Sequence, residues 1–132
     1  MKTVDEIATD VFRYVKASAL ASAVNGKVIN GKDRDVSSTT EDIVVKVLAN
    51  NLAQMQEAYL NVNIYVPDKY NKRQYVKDEE RVPLLERLAI DNLSVFHVDD
   101  ARVTAESQTT LASQNGKEHI INLRLLYRIT QD

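Results

Sequence analysis

Residues 57–67 read EAYLNVNIYVP, the clearest strand pattern of the chain. Apolar side chains occupy every second position, at Ala58, Leu60, Val62, Ile64 and Val66. The positions between them are polar or aromatic. Such alternation is typical of a β-strand that buries one face and exposes the other. Pro67 ends the strand, because proline has no N–H to donate to the hydrogen-bond ladder.

The residues before this strand have the same period of two. Ile43, Val45 and Val47 alternate with other residues, and Asn50–Ala53 then forms a short connection. Two such runs predict an antiparallel hairpin with one buried face. The opposite face carries Val44, Leu48, Tyr59 and Tyr65 among polar residues. A face of this composition suits a subunit interface, or part of residues 27–41 folds over it; the sequence leaves both interpretations open.

A second hairpin closes the chain, from about Ala101 to Thr130. Its turn contains Asn115-Gly116. A two-residue turn would place Glu106 opposite Leu125 and so put a charge on the apolar face. A three-residue loop, residues 114–116, places Ala105 there instead and sets Gly116 in the left-handed bulge position. We therefore predict the three-residue loop.

The first helix follows from the N-terminal pattern. Thr3 and Glu6 match a capping box, and apolar residues then recur at helical spacing, at Val4, Ile7, Ala8, Val11, Phe12 and Val15. Residues 17–24 continue this helix or form a second short turn. Gly26 is expected to end it in the left-handed conformation, before a short strand at Lys27–Ile29.

A second helix is predicted to start near Val82, with Pro83 in its first turn. Its apolar stripe comprises Val82, Leu85, Leu88, Ala89, Leu93 and Phe96. The whole pattern predicts a single α+β domain over residues 1–132, an antiparallel sheet of about four main strands with two helices packed on one face. The expected core comprises Val11, Val45, Leu60, Val62, Ile64, Leu85, Leu88, Leu123 and Leu125.

The composition of the chain argues against several classes of site and function. The chain has no cysteine, which excludes disulfides and zinc–thiolate sites. Its net charge of -2 argues against general nucleic-acid binding. No apolar run approaches the ~18 residues of a membrane span. An acidic N-terminus, unlike a signal peptide, predicts a protein made and kept in the cytoplasm.

Candidate catalytic groups are few. The two histidines, His97 and His119, have no metal-ligand spacing to other ligands. The adjacent acids Glu41-Asp42, Glu79-Glu80 and Asp99-Asp100 are expected to point apart or to be solvated. We predict no catalytic residue, no metal site and no cofactor, and therefore no enzyme.

The basic stretch Lys69–Lys77 is the best local candidate for a contact, because it combines basic and aromatic residues. Asp68 on one side and Asp78-Glu79-Glu80 on the other weaken its positive field. The stretch is interpreted as a solvated loop, a protein interface or a nucleic-acid contact. With the two tyrosines of the first hairpin, the predicted interface comprises Tyr59, Tyr65, Lys69, Tyr70, Lys72, Arg73 and Tyr75.

The order of elements resembles that of tail terminator (tail completion) proteins of long-tailed bacteriophages and related neck proteins of prophages. The resemblance lies in the N-terminal helix, the strand entry Gly26–Ile29, the stretches Glu41–Asn50 and Gln56–Asp68, and the final helix and hairpin. It covers most of the chain and lies in the order of the elements and the residue pattern of the strands.

This resemblance implies a small α+β subunit that forms a ring, usually a hexamer. The ring would cap the tail tube and join it to the head, without a reaction or a cofactor. The implied partners are the protein itself and phage tail tube and neck proteins, with no membrane; the only nucleic acid expected is DNA passing through the ring. Such a protein would occupy the host cytoplasm during assembly and then the virion. The alternatives are a head–tail connector or stopper of the neck, or a non-viral cytoplasmic protein-binding domain.

Overall fold

The computed structural model describes residues 1–130, which form three helices and eight strands. The helices are α1 (Val4–Lys16), α2 (Ala19–Ala23) and α3 (Arg81–Leu93). The strands are β1 (Val28–Asn30), β2 (Ile43–Asn51), β3 (Met55–Pro67), β4 (Lys69–Asn71), β5 (Gln74–Val76), β6 (Val95–Val98), β7 (Ala101–Ala112) and β8 (Glu118–Thr130).

The main sheet has six strands in the order β1-β2-β3-β8-β7-β6. The α+β class is confirmed. The prediction of about four main strands and two helices was wrong in detail. β1 is the short strand expected at Lys27–Ile29 and lies at one edge, and α2 is the separate short turn that was one alternative for residues 17–24. β6, at the other edge, was not predicted, since four residues are too few to show a period of two. The sheet is also mixed, since β1 runs parallel to β2 while the other pairs are antiparallel.

The core lies between the helices and one face of this sheet, which we call the inner face. All three helices and the long strands contribute to one apolar cluster. Eight of the nine predicted core residues are buried, and Leu88 is half-buried at the edge of the cluster. The opposite side of the sheet is called the outer face.

α1 begins as its sequence predicts. The N–H of Glu6 donates to Thr3 Oγ1 at 3.2 Å, and the N–H of Thr3 donates to Glu6 Oε1 at 3.0 Å. The predicted capping box is therefore confirmed. The helix ends at Lys16, and Ser18 caps the separate α2 by accepting from the N–H of Ala21.

Gly26 does not have the left-handed conformation that the sequence suggested, since only Gly31 and Gly116 have positive φ among the described glycines. Close approach explains the glycine instead. A Cβ atom at Gly26 would lie 2.2 Å from Asp42 Oδ1 and 2.3 Å from the carbonyl oxygen of Glu41. The chain can enter β1 beside residues 41 and 42 only without a side chain here.

Replacing Gly26 should therefore destabilise the fold. We expect Gly26→Ala to lower the free energy of unfolding by about 1–3 kcal/mol, because backbone of residues 41–42 must move. Urea unfolding measures the loss. Gly116→Asn is the control, since that position has open space and a φ of 71° that asparagine tolerates. Equal stability of Gly26→Ala and the wild type would contradict the close approach.

The second hairpin combines both registers considered from the sequence. Near the turn Thr110 pairs with Ile121, the pairing of the two-residue alternative, while Ala105 pairs with Leu125, as the three-residue loop predicts. The ladder shifts between Ala105 and Ser107, so that Glu106 is left unpaired and exposed. This β-bulge keeps the charge off the apolar inner face. The connection between β7 and β8 has five residues, 113–117, so the predicted three-residue loop was wrong, whereas Gly116 is left-handed as predicted.

Phe96 was predicted to extend the stripe of α3 but lies in β6, where its ring stacks on Tyr14 with 4.0 Å between ring centroids. The helix starts at Arg81, close to the predicted Val82. Asp78 Oδ1 accepts hydrogen bonds from the N–H groups of Glu80 and Arg81, which stabilises that start.

Candidate functional site

The segment after Pro67 forms a projecting β-hairpin, which we call the arm (residues 69–77). The sequence interpretation of a charged, polar loop missed it. β4 and β5 pair with each other, separately from the main sheet, and residues 69–76 are all exposed. The rings of Tyr70 and Tyr75 contact each other at 5.0 Å between centroids. The described residues of the core cluster include none from the arm.

The apex of the arm has a strained backbone. Lys72 and Arg73 have φ values of 50° and 68°. A two-residue hairpin turn with both residues at positive φ strongly favours Asn-Gly, because other side chains are strained there. Here the turn places two cations at the tip instead.

The base of the arm is fixed to the main sheet by polar contacts. Asp68 Oδ1 lies 2.7 Å from His119 Nδ1, and the N–H of Asp68 donates to the carbonyl oxygen of Lys117. The ammonium of Lys117 lies 5.7 Å from the ring centroid of Tyr75. The sequence missed the carboxylate partner of His119, because the two residues are 51 positions apart. The exposed His97 lies on β6.

A buried ionic cluster, which we call the Arg34 cluster, lies next to the base of the arm. Arg34 donates from Nε to Asp42 Oδ2, from Nη1 to Glu118 Oε1 and from Nη2 to the carbonyl oxygen of Thr40, each at 2.8 Å. Only 1% of the Asp42 side chain and 9% of the Glu118 side chain are exposed. The cluster fixes the 34–42 segment to the end of β8.

Glu41 and Asp42 were expected to point apart or to be solvated; they bind different arginines, and neither is solvated. Glu41 is buried and binds the guanidinium of Arg81 at 2.6 and 2.8 Å, while Asp42 binds Arg34. Each acid has its own arginine, which makes its burial tolerable. The other two acid pairs differ: Glu79, Glu80, Asp99 and Asp100 are exposed, as expected.

The environment of Asp42 changes its ionisation. Burial by itself raises the pKa of a carboxyl group, but hydrogen bonds from Ser38, Arg34, the N–H of Lys27 and Thr40 outweigh it. They lower the pKa of Asp42 from 3.8 to about 2.

The free energy of unfolding should therefore decrease as the pH is lowered. A carboxyl with a lowered pKa stabilises the fold above its unfolded pKa, and this contribution is lost as pH falls through the folded pKa. Between about pH 5 and pH 2 the wild type should lose about 2 kcal/mol more than Asp42→Asn. Urea unfolding across this range measures it, with the exposed Asp91→Asn as control. Parallel pH profiles of wild type and Asp42→Asn would contradict the assignment.

The outer face is covered at one end only. The guanidinium of Arg34 lies 4.4 Å from the ring centroid of Tyr65, and Asp33 binds Lys46 at 2.7 Å. Part of residues 27–41 thus folds over this end, as one of the two sequence interpretations proposed. Tyr59 lies on the outer face six positions earlier in β3 and is half-buried.

A groove of about 770 Å³ follows the uncovered part of the outer face. Asn63 accepts a hydrogen bond from Asn122 Nδ2 at 2.8 Å in its floor, and Arg124 and Leu111 line its sides. Farther along the sheet Arg102 lies directly opposite Arg128. The groove is open, and its lining combines amide and hydroxyl groups with apolar side chains. The alternation of residues in the sequence could not show it, because the groove exists only where no other segment covers the outer face.

The seven predicted interface residues therefore lie on two surfaces. The outer face carries Tyr59 and Tyr65; the arm carries Lys69, Tyr70, Lys72, Arg73 and Tyr75. Within residues 1–130, no group of three or more His, Asp or Glu residues is placed to hold a metal ion. No helix in that range is long and apolar enough to cross a membrane.

No protein-family model matches the chain, and no curated protein matches it. A functional proposal therefore depends on the geometry described above and on the resemblance in layout.

Proposed function

We propose that the protein is a structural subunit of a tailed phage or prophage, which forms a ring that terminates the tail tube and joins it to the head. In this role it carries out no reaction and needs no cofactor. Its partners are further copies of itself and the tail tube and neck proteins.

The arm is the observation that carries the proposal. It is exposed along residues 69–76, adds nothing to the described core and has two non-glycine residues at positive φ. Strain of this kind costs about 1–2 kcal/mol per residue, and strained segments cluster at binding and switching sites. A hairpin that weakens the isolated fold is expected to be retained for a contact. The resemblance in layout to tail terminator proteins supplies the class of partner.

Purified tail tubes from the phage that encodes the chain provide the test. We expect electron microscopy to find the added protein at tube ends. Arg73→Glu should reduce this binding, because it reverses the charge at the apex of the arm, while the thermal midpoint stays close to that of the wild type. Lys16→Glu, an exposed change on α1, is the control and should leave binding unchanged. Tube ends that stay bare with the wild type would refute the role.

The groove on the outer face favours the second candidate, a non-viral protein-binding domain. Its amides and Arg124 offer donors and acceptors to an extended peptide. A connector or stopper of the neck would use the same surfaces and differ in position only. Binding at the head side of the neck, with bare tube ends, would favour that alternative.

A further inference from the structure

The arm and a depression at the opposite end of the domain carry opposite net charge. β3 runs from Met55 to Pro67, and thirteen residues of strand span about 40 Å. The arm follows Pro67 and projects beyond one end. Its four cations are Lys69, Lys72, Arg73 and Lys77, and residues 69–77 contain no acid. Lys69 Nζ, at the base of the arm, lies 3.9 Å from Asp78 Oδ1, so the charge available for a contact lies mainly at the apex, on Lys72 and Arg73.

The other end carries a depression whose lining has four acids, Asp5, Glu6, Asp10 and Asp99, and two bases, Lys2 and Arg13. This end is identified by Lys2, whose N–H donates to Gln56 Oε1 at the start of β3 at 2.9 Å. Here the first turn of α1 and the β6–β7 turn border the depression of about 410 Å³, which we call the acidic depression. Thr9 completes its lining.

The acids of this depression differ in how far they are engaged. Lys2 Nζ binds Asp10 at 2.5 Å and Asp99 at 3.3 Å. Asp5 is exposed and has no side-chain partner among residues 1–130. The α1 N-terminus that holds it favours an acid but does not neutralise it. The depression therefore keeps exposed negative charge that an incoming cation can contact.

We infer that the arm of one copy docks into the acidic depression of the next copy. The inference rests on the proposed ring and supplies its contact. The surfaces are complementary in charge, and the convex apex with Lys72 and Arg73 meets a concave partner. Because they lie at opposite ends of the domain, the contact is head-to-tail, the kind that closes into a ring when the rotation fits.

The strained backbone at the apex of the arm also supports this docking contact. Asn-Gly would relieve the turn but remove both cations, so that the docking contact explains why lysine and arginine occupy it. The polar, exposed surfaces also predict a salt-sensitive contact. Screening at high ionic strength should weaken it, because the Debye length falls from about 10 Å at 0.1 M salt to about 3 Å at 1 M.

A charge swap tests the contact. The arm variant carries Lys72→Glu and Arg73→Glu; the depression variant carries Asp5→Lys and Asp99→Asn. Each variant alone sets like charges against each other, whereas an equal mixture restores opposite charges at every contact. Sedimentation equilibrium at low salt should show association at least about tenfold weaker for each variant, with recovery in the mixture. Lys32→Glu with Arg87→Glu is the control, since neither residue belongs to the arm or lines the acidic depression.

A second variant separates docking from folding. Lys72→Asn with Arg73→Gly should keep or raise the thermal midpoint, because it suits the turn, yet lose association. A wild type that stays monomeric up to millimolar concentration at low salt would overturn the inference. So would a mixture that associates no better than its components.

The outcome is separable from the proposed function. Wild-type protein at tube ends, together with a failed charge swap, would retain the phage role and reject this contact. A successful swap with bare tube ends would retain the contact and reject the role.

Discussion

Arg34→Ala should lower the free energy of unfolding by about 3–5 kcal/mol, because it leaves buried carboxylates without their cation. Asp42 and Glu118 both bind this guanidinium at 2.8 Å, and the side chain of Arg34 is 8% exposed. The Thr40 carbonyl and the face of Tyr65 also lose a partner. Urea unfolding at neutral pH measures the loss.

The design of this experiment distinguishes charge from geometry. Arg34→Lys keeps the charge but not the planar fork that reaches two acids, so its loss should be intermediate. Arg87→Ala is the matched control, because its ion pair with Asp91 is exposed at both residues, and it should cost no more than about 0.5 kcal/mol. A loss below about 1 kcal/mol for Arg34→Ala would show that the cluster contributes little.

Leu60→Ala should cost about 2–5 kcal/mol, since it opens a cavity at the centre of the inner face. Leu60 is fully buried and pairs with Val47 on one side and Leu125 on the other. The exposed Leu84→Ala on α3 removes the same atoms where no cavity forms, and its effect should lie within about 0.5 kcal/mol of zero. Similar losses in both variants would mean that the inner face is wrongly assigned.

The long elements could be predicted from sequence because their period repeats many times. β3 alternates buried and half-buried residues over nearly its whole length, and α1 has a capping box at its start. The arm was missed for a physical reason: residues 69–76 are all exposed, so no apolar face marks them. β6 was missed because it follows α3 directly and continues its apolar stripe through Phe96.

The Arg34 cluster could not be predicted because its members come from distant parts of the chain. Arg34 and Glu118 are 84 residues apart. The separate pair of Arg81 and Glu41 likewise joins residues 40 positions apart. An adjacent acid pair in a sequence is consistent with solvation or with burial, and only the position of the arginines decides. The same holds for the candidate site, where the cations of the arm could be named but their projection beyond the sheet could not.

Copy number in purified virions tests the central claim most directly. The proposed function implies that a tailed phage or prophage encodes the chain. Quantitative mass spectrometry of its particles should then find the protein in a small, fixed number of copies per particle, as a closed ring requires. Particles made with Lys72→Asn and Arg73→Gly should contain markedly less. Intact, infectious particles that contain none of the protein would contradict the proposal that it is a structural ring of the tail.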